Sequence, residues 1–313
     1  MILLAAASPA QVDGKPQAQQ KATARANSVD LAETGHCAEA LPGLKASLRQ
    51  PTTENQLKRR IGLDGVHCAM TLNRPADAVT FLQTLTHDFP HDPEVLYVAV
   101  HAYSDLSTLA AQELAQNAPQ SYQAHELNAE ALEMQGKWEE AAKEYRWILQ
   151  QDPKLPGIHF RLGRLLLSKP DASAAAAEEA KREMEQELKV DPSNAGAEYV
   201  LGELARQSQQ WEEASAHFSR ASQLDPGFGD AFLGWGDSLI SARKFSDAIA
   251  PLQSAAKLEP GNPAIHYSLA TAYSRSGRKQ DADREFAIHR QMTKESETPR
   301  PPAQEGQATP APQ

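Results

Sequence analysis

Six prolines punctuate the middle of the chain: Pro90, Pro119, Pro153, Pro192, Pro226 and Pro260. Their separations are 29, 34, 39, 34 and 34 residues. Three equal intervals imply a repeated structural unit, because unrelated elements have no reason to end at a constant distance. The interiors agree as well. The stretch GKWEEAAKEYRWILQQDP (136–153) has the outline of QQWEEASAHFSRASQLDP (209–226), and RKFSDAIAPLQSAAKLEP (243–260) is a third copy. Trp138 and Trp211 each precede Glu-Glu-Ala, and Tyr145 and Phe218 stand four residues beyond that alanine.

The pattern reads as two helices per unit, A and B. Gly163, Gly202, Gly236, Ala129 and Ala270 recur on helix A, and Ala141, Ala180, Ala214, Ala248 and Ala282 on helix B. Glycine inside a helix costs about 1 kcal/mol relative to alanine, so its recurrence needs a packing reason, namely close approach of A to B. Trp138, Trp211 and Phe245 open helix B, where each has large apolar area to bury. Prolines then stop helix B and open the next helix A, where a missing N–H costs little.

These offsets resemble the tetratricopeptide repeat (TPR) family. Counting from Ala195, the family pattern finds Leu201-Gly202, Ala214, Phe218, Ala221 and Pro226. From Gly229 it finds Phe232, Trp235-Gly236, Ala248, Ala255 and Pro260, and from Pro263 it finds Leu269-Ala270, Tyr273, Ala282 and Phe286. The resemblance covers most of residues 59–290. It implies an all-α fold: a right-handed superhelical solenoid of about eight antiparallel helix pairs, each contacting only its neighbours.

Two units depart from the period. Pro93–Ser121 is five residues short, which predicts a truncated helix B. Pro156–Asn194 is five residues long, which predicts a helix B lengthened by about 1.4 turns and capped by Asp171 or Ser173. The expected organisation is a clipped signal peptide over 1–10, a flexible linker over 11–28, irregular helix pairs over 29–121, regular repeats over 122–292 and a disordered Pro-rich tail over 293–313. A frayed apolar end is the other reading of MILLAAASPAQ. No cysteine lies near Ser8-Pro9-Ala10, which argues against a lipid anchor.

A net charge of −10 argues against nucleic acid as a partner, since phosphate binding needs a surplus of Lys and Arg. No run of 18 apolar residues exists, so no segment reads as membrane-spanning. The two cysteines, Cys37 and Cys68, fall in successive units, at the start of one helix B and midway along the next helix A. They form either a disulfide or two separate buried thiols. A disulfide together with a leader points to a periplasmic or secreted protein; reduced thiols and a retained Met1 point to the cytoplasm.

Helix A lines the concave groove in the TPR family, so the resemblance assigns the groove-facing residues. They are Tyr97 and His101; Glu126, Glu130 and Glu133; Phe160 and Arg164; Tyr199, Glu203 and Arg206; Asp237; and Tyr267. Tyr97, Phe160, Tyr199 and Tyr267 share one offset, which predicts either an aromatic row along the groove or rings packed on the next helix A. The offsets at which some relatives clamp a C-terminal carboxylate hold Tyr97, Glu126, Phe160 and Tyr199 instead of Lys. An extended peptide with basic and apolar residues suits the Glu126/Glu130/Glu133 stripe better.

Chemistry has little support. The three glutamates share a helix face, but no nucleophile or metal-ligand set accompanies them. His125-Glu126 begins a zinc-protease motif that fails at Ala129, where a second histidine is needed. HDFPHD (87–92) reads as a polar turn rather than a metal site, and no cofactor is implied. The reading that follows is a non-catalytic scaffold holding a partner protein's segment in its groove, within a larger complex. A carbohydrate- or envelope-binding module using the aromatic row is the alternative, and an enzyme with an unrecognised site is the second.

Overall fold

The computed structural model describes residues 27–48, 54–170 and 173–297, and every regular element among them is helical. The chain divides into two compact units after Pro119. The first holds α1 (27–33), α2 (Cys37–Leu48), α3 (Asn55–Thr71), α4 (Pro75–Asp88) and α5 (Pro93–Asn117). The second begins with α6 (Tyr122–Met134), α7 (Trp138–Gln151), α8 (Ile158–Ser168) and α9 (Ala174–Val190). It continues with α10 (Ala195–Gln207), α11 (Trp211–Leu224), α12 (Gly229–Ser241) and α13 (Phe245–Leu258), and ends with α14 (Pro263–Arg275) and α15 (Lys279–Glu297).

Local chemistry sets most boundaries. Pro75, Pro93 and Pro263 stand in the first turn of α4, α5 and α14. Ser121, Asn194 and Asn262 cap their helices by accepting from Ala124 N, Ala197 N and Ala264 N. Of the five A-to-B turns in the second unit, four contain a left-handed residue at the same offset: Gly136, Gln209, Arg243 and Gly277. α8 starts at Gly157, which has no side chain to cap with. Buried Glu187 of α9 takes that role, accepting from Gly157 N at 2.8 Å and Phe160 N at 3.2 Å.

Packing of A on B follows the small residues. A Cβ added to Gly202 would lie 2.8 Å from the Phe218 ring, and one on Gly236 would lie 2.4 Å from Leu252 Cγ. The glycines therefore make room for the large side chains of helix B. In the stretch 136–153, Ala141, Tyr145 and Ile148 are fully buried, whereas Trp138 is only half-buried. The first unit has its own core, with Leu41, Leu44, Ile61, Val66, Phe81, Leu82 and Leu85 buried together. Cys37 and Cys68 are joined there by a disulfide, both side chains buried.

Several expectations change. The described helices make seven pairs and one single helix, α5, which runs unbroken for 25 residues where a truncated helix B was expected. Ser107 occupies the offset of the left-handed turn residues, but the chain continues as helix. Gln112 stands where the other units carry the alanine that lets helix B pack back. Without that small residue a return helix has no close seat, and Leu-Ala-Ala-Gln-Glu-Leu-Ala is a good helix sequence. α9 has 17 residues against 14 in α7, α11 and α13, so three of the five extra residues extend the helix, and Ser173 is its cap. α15 continues to Glu297, five residues into the expected tail, because no proline intervenes before Pro299. Asn27 and Ser28, at the end of the expected linker, are already helical. The leader and the remainder of the linker and tail lie outside the described residues.

Candidate functional site

Within the second unit, α10, α12 and α14 are the A helices of three successive pairs and lie side by side. A cavity of about 310 Å³ opens between them. It is lined by Arg206 of α10, Trp211 at the start of α11, Asp237, Ile240 and Ser241 of α12, and Tyr267, Ser268 and Thr271 of α14. The Tyr267 ring is 54% exposed and forms an open wall. Asp237 is half-buried, and loss of water pushes its carboxyl above the usual range, although the Ser268 hydroxyl donates to it and Arg206 opposes the shift. Among the described residues no cation lies within ion-pair distance of Asp237. The nearby Arg206 guanidinium is held by Glu203, Nη2 to Oε2 at 2.7 Å.

The acidic stripe has a different environment from the one expected. Arg161 reaches Glu126 at 2.9 Å and Glu130 at 2.6 Å. Glu133 accepts from the buried Tyr145 hydroxyl at 2.7 Å, with Arg164 Nη2 3.7 Å away. Burial and that bond to Glu133 push the Tyr145 phenol well above its ordinary value. Two arginines of the next unit thus pair with the three glutamates, which leaves one negative charge in excess on the stripe. Sequence spacing located the glutamates but carried no sign of cations arriving from residues 161 and 164.

The aromatic positions also separate. A Cβ on Gly196 would meet the Phe160 ring at 2.9 Å, so this ring packs on the start of α10. Tyr199 packs on Phe228 at 4.7 Å and on Phe218 at 5.4 Å, and burial raises its phenol pKa. Both rings fill seams between successive units. Tyr267 holds the same offset, but no described helix follows α15, and among the described residues its ring pairs with the rings of His289 at 5.5 Å and Phe286 at 6.1 Å. Tyr97 belongs to the first unit, on α5, 66% exposed and edge-on to His101 at 4.4 Å. A continuous row of four open rings is therefore not formed.

The remaining polar motifs are engaged in structure. His125 is 2.5 Å from Glu144 and stacks on Trp147 at 3.6 Å. In the turn 87–92, Asp88 pairs with Lys58 at 2.7 Å, and Asp92 both pairs with Arg59 and caps α5. Charges of 136–153 reach across to neighbouring helices: Glu139 to Lys169 at 2.5 Å and Arg146 to Glu179 at 2.7 Å. Among the described residues no cluster of three His, Cys, Asp or Glu is arranged to hold a metal, and no helix is long and apolar enough to cross a membrane. Trp211, Ser241 and Ser268 line the cavity but escaped the sequence reading, which assigned Trp211 to the core. Superposing adjacent units would have found them, since the seam takes residues from the end of one helix A and the middle of the next.

Two models of the tetratricopeptide repeat match the sequence, one over 106–156, 129–183 and 177–227 and the other over 239–289, together more than half of the chain. The chain belongs to the tetratricopeptide repeat family. Solved TPR-type structures share its fold. YrrB, described as a TPR protein with an unusual peptide-binding site, is 18% identical, with 59% of this chain and 93% of YrrB covered and a TM-score of 0.51. The double mutant of MamA from RS-1 is 16% identical, with 57% and 97% covered and a TM-score of 0.51. MamA 41-end from Desulfovibrio magneticus RS-1 is 16% identical, with 56% and 97% covered and a TM-score of 0.50. At such identities the likeness concerns the fold. No curated protein matches the sequence. TPR architecture is a platform for protein–protein contact, and the fold by itself does not name a partner.

Proposed function

We propose that this TPR protein is a non-catalytic scaffold that binds an extended segment of a partner protein along the A-helix face of its second unit, as part of a larger complex. The observation that carries this reading is the open cavity between α10, α12 and α14, walled by the exposed Tyr267 ring and by Trp211. Exposed aromatic side chains beside polar groups are what a peptide anchor needs: large area to bury and hydrogen bonds to set register. The description of YrrB as peptide-binding lends support by analogy of fold.

A glycan platform needs several flat, open rings. Phe160 and Tyr199 are instead packed into seams, which favours the peptide reading. The glutamates that suggested acid–base work are committed to Arg161, Arg164 and Tyr145, which favours a binding role over turnover. Titration of the full chain with random peptide mixtures and with a panel of oligosaccharides tests the proposal. Peptide binding that weakens in Tyr267→Ala supports it. Glycan binding alone, or peptide binding indifferent to Tyr267→Ala, overturns it.

A further inference from the structure

We propose that the cavity between α10, α12 and α14 receives a lysine or arginine side chain of the bound segment, with Asp237 as its counter-ion. The inference rests on the groove reading above and names the chemistry of one subsite. A half-buried carboxylate has lost part of its hydration, and an opposite charge beside it offsets that loss. Ser268 and the charge of Arg206 offset only part of the effect of burial on Asp237, and no described cation lies within ion-pair distance of it. The Arg206 guanidinium is turned to Glu203, through Nε at 3.2 Å and Nη2 at 2.7 Å, and does not come within ion-pair distance of Asp237. Glu203, Arg206 and Asp237 together leave one negative charge at the cavity, which one incoming cation neutralises.

The walls suit such a side chain. Trp211 and Tyr267 present aromatic surface that covers an alkyl stem and attracts a cation facing the ring. Ser241 and Thr271 add hydroxyl acceptors for ammonium or guanidinium N–H groups. The volume of about 310 Å³ fits one long side chain. An acidic residue placed there would face Asp237 and Glu203 and is disfavoured. On the other acidic stripe of this face each glutamate has an arginine within ion-pair distance, Arg161 for Glu126 and Glu130 and Arg164 for Glu133, whereas Asp237 has none among the described residues.

Peptide mixtures with one position held as Lys, Arg, Gln, Leu or Glu, and all others random, test this on the full chain. Lys- and Arg-fixed mixtures should bind about tenfold tighter than the Gln-fixed mixture, and the Glu-fixed mixture weakest. The preference for Lys and Arg over Gln should vanish in Asp237→Asn. Equal binding of all mixtures by the unaltered protein overturns the inference and needs no variant to fold. A basic preference that survives Asp237→Asn also overturns it. If mixtures bind without charge preference but weaken in Tyr267→Ala, the groove reading stands and only this subsite falls. If no mixture binds, both fall.

Discussion

His159 Nδ1 stands 2.6 Å from the Glu183 carboxylate, and its Nε2 stands 3.2 Å from the Pro153 carbonyl. Both ring nitrogens thus face acceptors, an arrangement the doubly protonated imidazolium satisfies best. The Glu183 bond is the main cause of a raised pKa for His159, working against the opposing effect of burial. The pair ties α8 to α9, and the same A-to-B tie recurs as His125–Glu144, Glu198–His217 and His266–Glu285. A histidine whose folded pKa is raised adds stability that is complete below its unfolded value near 6.5 and is lost as pH rises through the folded value. Urea unfolding at about pH 6 and about pH 8 should therefore show the wild type losing stability at the higher pH, and His159→Gln losing less. Equal pH dependence of the two proteins would contradict this.

The disulfide between Cys37 and Cys68 closes a loop with a sequence separation of 31 and joins α2 to α3. Chain-entropy arguments give a link of that span about 3–4 kcal/mol. The double variant Cys37→Ser, Cys68→Ser should lower the stability of the first unit by about that amount. Hydrogen exchange in α1 to α4 should accelerate, and unchanged protection there would show that the buried core suffices alone.

Gly236 leaves no room for a side chain, since an added Cβ would lie 2.4 Å from Leu252 Cγ and 2.5 Å from its Cδ2. Gly236→Val should destabilise the second unit by about 1–3 kcal/mol through overpacking of α12 on α13. Combining it with Leu252→Ala should recover part of the loss, measured as a coupling in a double-mutant cycle.

Arg243 adopts φ of 60° in the turn from α12 to α13, where Gly136 and Gly277 serve the equivalent turns. A non-glycine residue in the left-handed region is strained. Arg243→Gly should raise the unfolding midpoint, by about 0.5–1 kcal/mol in free energy after the entropy cost of glycine. A lower midpoint would mean that the Arg243 side chain contributes more than its backbone strain costs.

What the sequence determined by itself is the address of each residue. The interval of 34, the small residues at Gly202, Gly236 and Ala141, and the capping Ser and Asn residues are local signals, so the two-helix unit and its buried stripe of Ala141, Tyr145 and Ile148 were legible. What the tertiary structure decided is what each address holds. A periodic pattern places Glu126 and Glu130 on one face, but only packing brings Arg161 from the next unit onto them. Phe160, Tyr199 and Tyr267 share an offset, yet a following unit covers the first two rings, and no described helix follows to cover the third. α5 follows the same logic in reverse: its period is nearly right, but with Gln112 in place of the alanine no return helix can seat, and the chain runs straight on. Asp237 emerges as a half-buried carboxylate without an ion pair among the described residues because charge compensation depends on which long side chains reach across a seam, and spacing along one chain does not record that reach.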